Sequence, residues 1–394
     1  MMGENPSKSE NTKYDKKSLS KVITYWPFAK FEKVHLKKDP GALPSAFATL
    51  GTESVLIVGQ MNVALNGVKV IQTRNKRGNG IGQYFKELFI VTRHILDEDA
   101  DLHIIFNWSN LNTFIVLLSK FYRNIFRIGK TKGKFFLKMD SDGSYVDSPF
   151  SIGKIFYFFL LSINSLIFDK IVIESSCGRD RLKKYFLDPK RLKVIGNGIS
   201  KDLYSVSKEE AKRKVVSTVS RISPEKGIDI TIQAFKTAWE VNKEWSLEII
   251  GPIEDLNYYD HLKMLIAALN LDGYVNFLGE ISDIELSQKL NSSAIYCSLS
   301  RSEGFSIARM EALSLGLPVI VSTAGCGSDL KKYGATVISD KDYVNAGKEL
   351  IKLMKKYPNL FTESNLRNKV PSWLDIAKDL YNLIDNSALL KESS

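Results

Sequence analysis

Short apolar runs rich in Val and Ile recur along this chain, with helical patterns between them. Ser54–Gly59 (SVLIVG), Leu102–Phe106, Lys134–Met139 and Lys170–Ile173 form one series. A second begins near Lys193–Ile195 and continues through Val215–Val219, Ser246–Ile250, Tyr274–Phe277, Ala294–Ser298 and Pro318–Val321. Runs that are apolar on both faces, separated by helical stretches such as Asp229–Asn242 and Tyr258–Leu269, call for parallel sheets covered by helices on both sides. At 394 residues the chain is too long for one ordinary core. The expected class is α/β, two doubly wound Rossmann-like domains facing across a deep cleft. The boundary is expected near 190–205, around the turn Ile195-Gly196-Asn197-Gly198. Residues 1–21 read as a flexible tail, 22–195 as the amino-terminal domain, 196–370 as the carboxyl-terminal domain, and 371–394 as a helix that could pack back on the amino domain.

Charge separates the two halves. Residues 1–200 carry 31 basic and 18 acidic side chains, net +13, whereas residues 201–394 carry 24 and 26, net −2. A nucleic-acid coat would spread its positive charge differently, and no recognition module accompanies it. Cys177, Cys297 and Cys326 have no CxxC spacing, which argues against a disulfide framework and suits a reducing compartment. The four histidines are scattered, so a protein metal site is not expected. No apolar h-region stands near Met1. The most apolar window, Ile155–Phe168, is fourteen residues interrupted by Ser162, Asn164 and Ser165. It is too short for a span of ~20 apolar residues and reads as a buried or interfacial helix.

Two segments carry chemistry. In Ser298–Leu330 a strand ends, a loop holds Glu303 and Gly304, and a helix is expected to start about Ser306. The free N–H groups of Phe305, Ser306 and Ile307 would form an anion site at the positive end of that helix. Glu311 lies about five residues further, ~7–8 Å up the axis, an offset that suits a pyrophosphate at the helix start and a ribose diol beside Glu311. Glu303 would then face a sugar beyond the distal phosphate. Upstream, Ser220–Gly227 (SRISPEKG) follows a strand and puts Arg221 and Lys226 at its carboxyl edge. Two cations there could clamp a diphosphate and stabilise it as it leaves.

The ordered blocks NGIS (Asn197–Ser200), SRISPEKG, IIGP (Ile249–Pro252), VNFLGE (Val275–Glu280) and EGFSIARMEALSLGLPVI (Glu303–Ile320) resemble the retaining glycosyltransferases of family 4, glycosyl transferases group 1, on the two-domain GT-B fold. The resemblance implies transfer of a sugar from a nucleotide sugar with retention at the anomeric carbon, without metal or other cofactor. It implies that Arg221 and Lys226 hold the diphosphate, Glu311 the ribose and Glu303 the donor sugar. Backbone N–H groups near Gly304, Phe305, Ser306 and Ile307 would meet the phosphate, and Leu278 and Gly279 the base. Arg77–Tyr84 (RGNGIGQY) resembles the family's first glycine loop, with Gly80 and Gly82 kept. It lacks the last glycine of a dinucleotide fingerprint, since Gln83 stands there. Many members carry a histidine at the tip of the strand that ends here in Asp140-Ser141-Asp142. Its role passes provisionally to Asp140, with Asp142 the alternative, since either could hydrogen-bond a sugar hydroxyl or stabilise oxocarbenium charge.

From Lys120 to Lys138 stand seven basic residues and no acid, interleaved with Phe121, Tyr122, Ile125, Phe126 and Ile128, and Arg179–Arg191 adds a second basic cluster. The pattern reads as an interfacial segment on anionic lipid. The combined expectation is a retaining hexosyltransferase, peripheral on the cytoplasmic face of the membrane. UDP-sugar is the favoured donor and GDP-sugar the second choice, with a lipid-linked or growing-glycan acceptor of the kind cell-envelope polysaccharides need. The alternatives are a nucleotide-sugar epimerase on the same fold, or a non-catalytic membrane-associated binding protein.

Overall fold

The computed structural model describes residues 19–74, 81–107, 115–121, 133–140, 144–147, 149, 151–200, 212–359 and 370–385. The amino half forms a seven-stranded sheet from β1 (Lys21–Phe31), β2 (Glu53–Met61), β3 (Val68–Gln72), β4 (Leu102–Phe106), β5 (Lys134–Met139), β6 (Lys170–Ile173) and β7 (Leu192–Val194). Its order is β3-β2-β1-β4-β5-β6-β7, with every pairing parallel. The expected onset at Ser54 is therefore one strand late, because β1 comes first and sits between β2 and β4. Its sequence, KVITYWPFAKF, hides this, since Pro27 interrupts the β-branched run. The register slips between Trp26 and Lys30, where proline has no N–H to offer the ladder.

Period-two alternation sorts the strand residues onto two faces. Ile23, Tyr25, Ile105, Phe135, Leu137, Ile171 and Ile173 pack under α2 (Ile81–Asp97), a helix at 115–121 and α3 (Ile152–Ile167). Val22, Ile104, Phe136 and Val172 face the other way, onto α1 (Asp39–Thr49) and the carboxyl-terminal helix. A shorter helix, α4 (Ser176–Leu182), follows β6.

The carboxyl half repeats the plan with β8 (Val215–Val219), β9 (Ser246–Ile250), β10 (Val275–Gly279), β11 (Ile295–Ser298), β12 (Val319–Ser322) and β13 (Thr336–Ile338), ordered β10-β9-β8-β11-β12-β13 and again parallel. Its helices are α5 (Ile228–Trp239), α6 (Leu256–Ala268), α7 (Asp283–Ser292), α8 (Ile307–Ser314) and α9 (Tyr343–Lys356). The last helix, α10 (Trp373–Asp385), returns to the amino sheet, where Trp373, Ile376, Ala377 and Leu380 are buried beside Ala42, Leu43 and Phe47.

The chain thus crosses between domains twice, and the crossings lie side by side. Ile199 bridges Ser372, the Ile199 N–H donates to the Pro371 carbonyl at 3.1 Å, and Trp373 N–H donates to the Ile199 carbonyl at 3.4 Å. Glycine at 198 permits this approach, because a β-carbon there would fall 2.4 Å from the Trp373 nitrogen. Replacing Trp373 by Ala removes a buried indole from the amino core. The expected loss is about 3–5 kcal/mol, read as a lower denaturation midpoint in urea; an unchanged midpoint would show that α10 contributes nothing to that core.

Candidate functional site

The carboxyl ends of both sheets open onto one cleft of about 470 Å³. From the carboxyl domain it is lined by Arg221, Lys226, Glu303, Gly304, Phe305 and Ile307. The amino domain contributes Trp26, His35, Asp39, Asp140 and Glu174, and the first crossing contributes Asn197.

Lys226 closes a 3-10 turn after β8, and Glu303 stands on the loop after β11. Lys226 Nζ and Glu303 Oε1 are 3.1 Å apart, both largely shielded, and Ser300 Oγ donates to Glu303 Oε2 at 3.2 Å. Two further devices hold these loops in register. Arg301 clamps Asp229 with both guanidinium nitrogens, one at 2.7 Å, and donates to the Pro224 carbonyl at 2.8 Å. The Arg301 N–H donates to the Glu225 carbonyl at 2.8 Å. Beneath them Arg309 on α8 is fully buried and donates to the carbonyls of Ser298 at 3.2 Å and Ala324 at 3.3 Å. It joins the loop after β11 to the loop after β12, so a charge inside EGFSIARME acts as a strut between backbones. Gly325 completes the floor. Its φ of +60° and a β-carbon position 1.8 Å from the Glu303 carbonyl oxygen exclude any side chain.

Of the other residues expected from sequence, Arg221 and Asp140 also line this cleft. Arg221 is half exposed and bound on its outer side to Glu254 and, at 3.4 Å, to Glu225. Leu278 and Gly279 end the edge strand β10, and Gly279 accepts from Gly251 N–H at 2.8 Å, next to the β8 tip. Ser306 caps α8 without a side-chain hydrogen bond. Its backbone N–H is directed at the Cys326 sulfur, a thiol that burial pushes up to about 11. Glu311 is buried on α8, away from the cleft lining. Asp140 is exposed at the tip of β5 and faces the Glu303 loop, with a β-carbon built at Gly304 lying 3.2 Å from its Oδ1. Asp142 and Gly80 lie outside the described residues. The RGNGIGQY segment follows β3. The connection after β1, where a first βα loop belongs, is instead 32–38, running into Asp39-Pro40 at the start of α1. Among the described residues, no group of three or more His, Cys, Asp or Glu side chains is arranged to hold a metal ion.

The sequence reading missed a buried polar cluster on the amino wall. Lys138 Nζ donates to Asp39 Oδ2 at 2.7 Å, Asn197 Oδ1 at 2.8 Å and Glu174 Oε1 at 3.4 Å, while Asn197 Nδ2 donates to Glu174 Oε1 at 2.8 Å. Burial raises the Asp39 carboxyl and pushes Glu174 well above the usual carboxylate range. Burial opposes the charge on Lys138, but the two acids beside it keep its pKa above the ordinary lysine value. The available signal was a lysine near the end of the otherwise apolar strand KFFLKM, since a lysine inside a covered sheet needs partners. Lys138 therefore cannot belong to a lipid-facing stripe, as the sequence reading had it.

A family profile described as glycosyl transferases group 1 matches residues 201–369. That match covers 169 of the 394 residues, almost all of the carboxyl domain. The chain is 27% identical over 201 residues to a GDP-mannose:cellobiosyl-diphosphopolyprenol alpha-mannosyltransferase of Xanthomonas campestris, covering 51% of this chain and 52% of that protein. It is 26% identical over 237 residues to an O-antigen chain mannosyltransferase of Salmonella typhimurium, covering 58% and 65%. The chain spans about half the length of the first of these relatives and somewhat more of the second. Among solved structures, Anabaena HepE in complex with UDP-glucose aligns with 93% of this chain and 99% of its own at TM-score 0.66 and 16% identity. That likeness is one of fold, and the fold is GT-B.

The Asp229–Arg301 clamp gives a pH test. Burial acts to raise the Asp229 carboxyl, but the Arg301 and Tyr258 hydrogen bonds together hold it below its ordinary value of 3.8. A lowered folded-state pKa stabilises above the unfolded value and is lost as pH falls through the folded one. Asp229→Asn should cost about 1–3 kcal/mol near neutral pH. In denaturant titrations the gap to wild type should close as pH drops below about 3.8; a gap independent of pH would rule out the ionic clamp.

Proposed function

We propose that this protein transfers a hexose from a nucleotide diphosphate sugar to a hydroxyl of a lipid-linked or growing glycan. The observation that carries this reading is the Lys226–Glu303 pair, one cation and one carboxylate 3.1 Å apart at the floor of the cleft. A nucleotide sugar presents an anionic diphosphate joined directly to a hydroxylated ring, and the pair matches that junction. The names of the relatives favour GDP-mannose over the UDP-sugar that the sequence reading prefers.

In the proposed reaction the bond between the anomeric carbon and the diphosphate oxygen breaks, and its electron pair leaves with the diphosphate. Lys226, together with Arg221 once it turns from Glu254, stabilises that developing charge. The acceptor oxygen bonds to the same face of the anomeric carbon, giving retention, and its proton passes to the departing phosphate. Asp140, across from Gly304, offers negative charge near the oxocarbenium-like centre. No protein base and no metal are assigned.

The acceptor side is proposed to meet a membrane through an apolar ridge rather than through the basic stretch. On α3, Ile152, Ile155, Phe156 and Phe159 are 84%, 55%, 53% and 58% exposed, at the spacing of one helical face. Phe85 and Phe89 on α2, and Leu117 and Phe121 on the 115–121 helix, are also exposed on the layer that covers the same side of the sheet. Many described cations of the basic clusters are already paired: Lys134 with Asp169, Arg179 with Asp180 and Arg191 with Asp188. No helix among the described residues is long and apolar enough to cross a membrane, so the contact would be peripheral, on the cytoplasmic leaflet.

Calorimetric titration with GDP, UDP, GDP-mannose and UDP-glucose, followed by turnover, tests the donor half. Lys226→Ala should lower kcat by about 10²–10³ while nucleoside monophosphate binding changes little. Full activity in that variant, or no binding of any nucleotide diphosphate, would overturn the assignment. For the membrane half, Phe156→Ser combined with Phe159→Ser should abolish flotation with vesicles of anionic phospholipid and leave GDP affinity intact. Flotation equal to wild type would exclude the ridge.

A further inference from the structure

A second cavity, of about 270 Å³, lies at the amino ends of β5, β6 and β7, the edge of the sheet opposite the cleft. Its lining carries four cations, Lys134, Lys170, Lys190 and Arg191, against two acids, Asp169 and Asp188. The strand register shows why they gather. Phe136 pairs with Lys170 and Val172 with Lys193, and paired residues of neighbouring strands point to the same side of a sheet. Phe136 and Val172 face α10, so by the period of two Lys134, Lys170 and Lys193 belong to that face as well. Three lysines on one face of three adjacent strands repel one another. The 3-10 turn at Pro189–Arg191 brings two further cations to them.

Both acids are already engaged. Asp169 Oδ2 accepts the Phe135 N–H at 2.8 Å and stands 3.7 Å from Lys120 Nζ, while its Oδ1 stands 3.6 Å from Lys134 Nζ. Asp188 accepts the Lys190 N–H at 3.2 Å and Arg191 Nε–H at 2.9 Å. Arg191 spends its Nη1 on the carbonyls of Leu166 and Phe168, at 3.1 and 2.9 Å. The ammonium groups of Lys170 and Lys190 have neither a hydrogen bond nor an ion pair among the described residues. Burial, together with the charges of Lys193 and Arg191, holds the Lys170 ammonium below its ordinary value of 10.5, although Asp169 and Asp188 act in the other direction. The cavity therefore carries positive charge that the chain itself does not match, and an anion bound there would relieve the repulsion.

We propose that this cavity is a binding site for a phosphomonoester group, with Lys170 and Lys190 donating to its oxygens and Lys134 beside them. A phosphomonoester carries close to two negative charges at neutral pH and three strong acceptor oxygens. Two unmatched ammonium groups suit that anion better than they suit a single carboxylate. Arg191 and Asp188 are positioning residues, since their ion pair fixes the turn that carries Lys190. The site is separate from the donor cleft, because Lys134 and Asp140 stand at opposite ends of β5, about 20 Å apart along the strand. It is also independent of the transfer reading. The same headgroup chemistry occurs in small soluble phosphate esters and in phosphatidic acid, and the two sources are separated by experiment.

The soluble probes are inorganic phosphate and glycerol 3-phosphate, titrated calorimetrically into the full chain at about 0.15 M salt. The lipid probe is a vesicle of phosphatidylcholine with phosphatidic acid, compared by flotation with phosphatidylcholine alone. Saturable uptake of one glycerol 3-phosphate per chain assigns a soluble ligand. Flotation that requires phosphatidic acid, without uptake of the soluble probes, assigns a lipid headgroup. In either case Lys170→Gln and Lys190→Gln should each weaken binding about tenfold or more, the loss of one charge-assisted hydrogen bond. Lys352→Gln removes the same charge from α9, where that side chain is 65% exposed, and should leave binding unchanged. Without ligand, Lys170→Met should raise the urea midpoint, because it removes a crowded charge, and it should abolish the further rise that a bound phosphate gives the wild type. The proposal is overturned if neither the soluble phosphates nor phosphatidic acid binds, or if Lys352→Gln weakens binding as much as Lys170→Gln does. It is overturned likewise if Lys226→Ala abolishes binding that Lys170→Gln retains, since the phosphate would then sit in the donor cleft.

Discussion

A parallel strand cannot be joined to its neighbour by a tight turn, so each connection must travel back along the sheet, usually as a helix. In both sheets of this protein every pairing is parallel. All strand tips of one sheet therefore share an edge, and the loops there can specialise because strands and helices carry the stability. Lys226, Glu303, Asp140, Asp39 and Glu174 all follow from that constraint, since each stands at or just beyond a strand's carboxyl end or at the start of the helix it feeds. The paired crossings at 195–199 and 370–373, with α10 anchored in the amino core, bring the two edges to face one another.

The two walls meet their charges differently. On the carboxyl wall Lys226 and Glu303 satisfy each other directly, and Arg301 and Arg309 tie their loops to backbone carbonyls. On the amino wall a lysine is enclosed with two acids and an amide. Such a cluster is costly to bury and is held together by its own internal hydrogen bonds. The net charge of +13 in the amino half gives a poor picture of this wall, because its deepest cation is consumed internally while the exposed side of the domain is apolar along α3.

Much of the carboxyl wall was legible from local pattern. Glu303, Gly304 and the helix onset near Ser306 lie within one strand–loop–helix unit, and Arg221 and Lys226 lie within another, so spacing alone predicts their order. The interior strand β1 was not legible, because Pro27 and Trp26 disguise it until β2 and β4 flank it. The RGNGIGQY segment stands after β3, and Gly80 within it lies outside the described residues. Its glycines suit a phosphate loop, whereas the connection that follows β1, 32–38, carries no such signature. The cluster of Asp39, Lys138, Glu174 and Asn197 draws its members from positions 23 to 158 residues apart, and no local period connects them.

The sequence by itself determined the class of fold, two parallel α/β domains, together with the position of the donor motifs, because both depend on periodicity and spacing within 10 to 30 residues or so. Only the tertiary structure decided which basic residues are buried, which aromatic residues are left outside, and which acids share a wall. Those outcomes depend on burial and on pairing between strands distant in the chain. A lysine in a strand is a surface charge or the centre of a buried network according to what the sheet and its helices place around it.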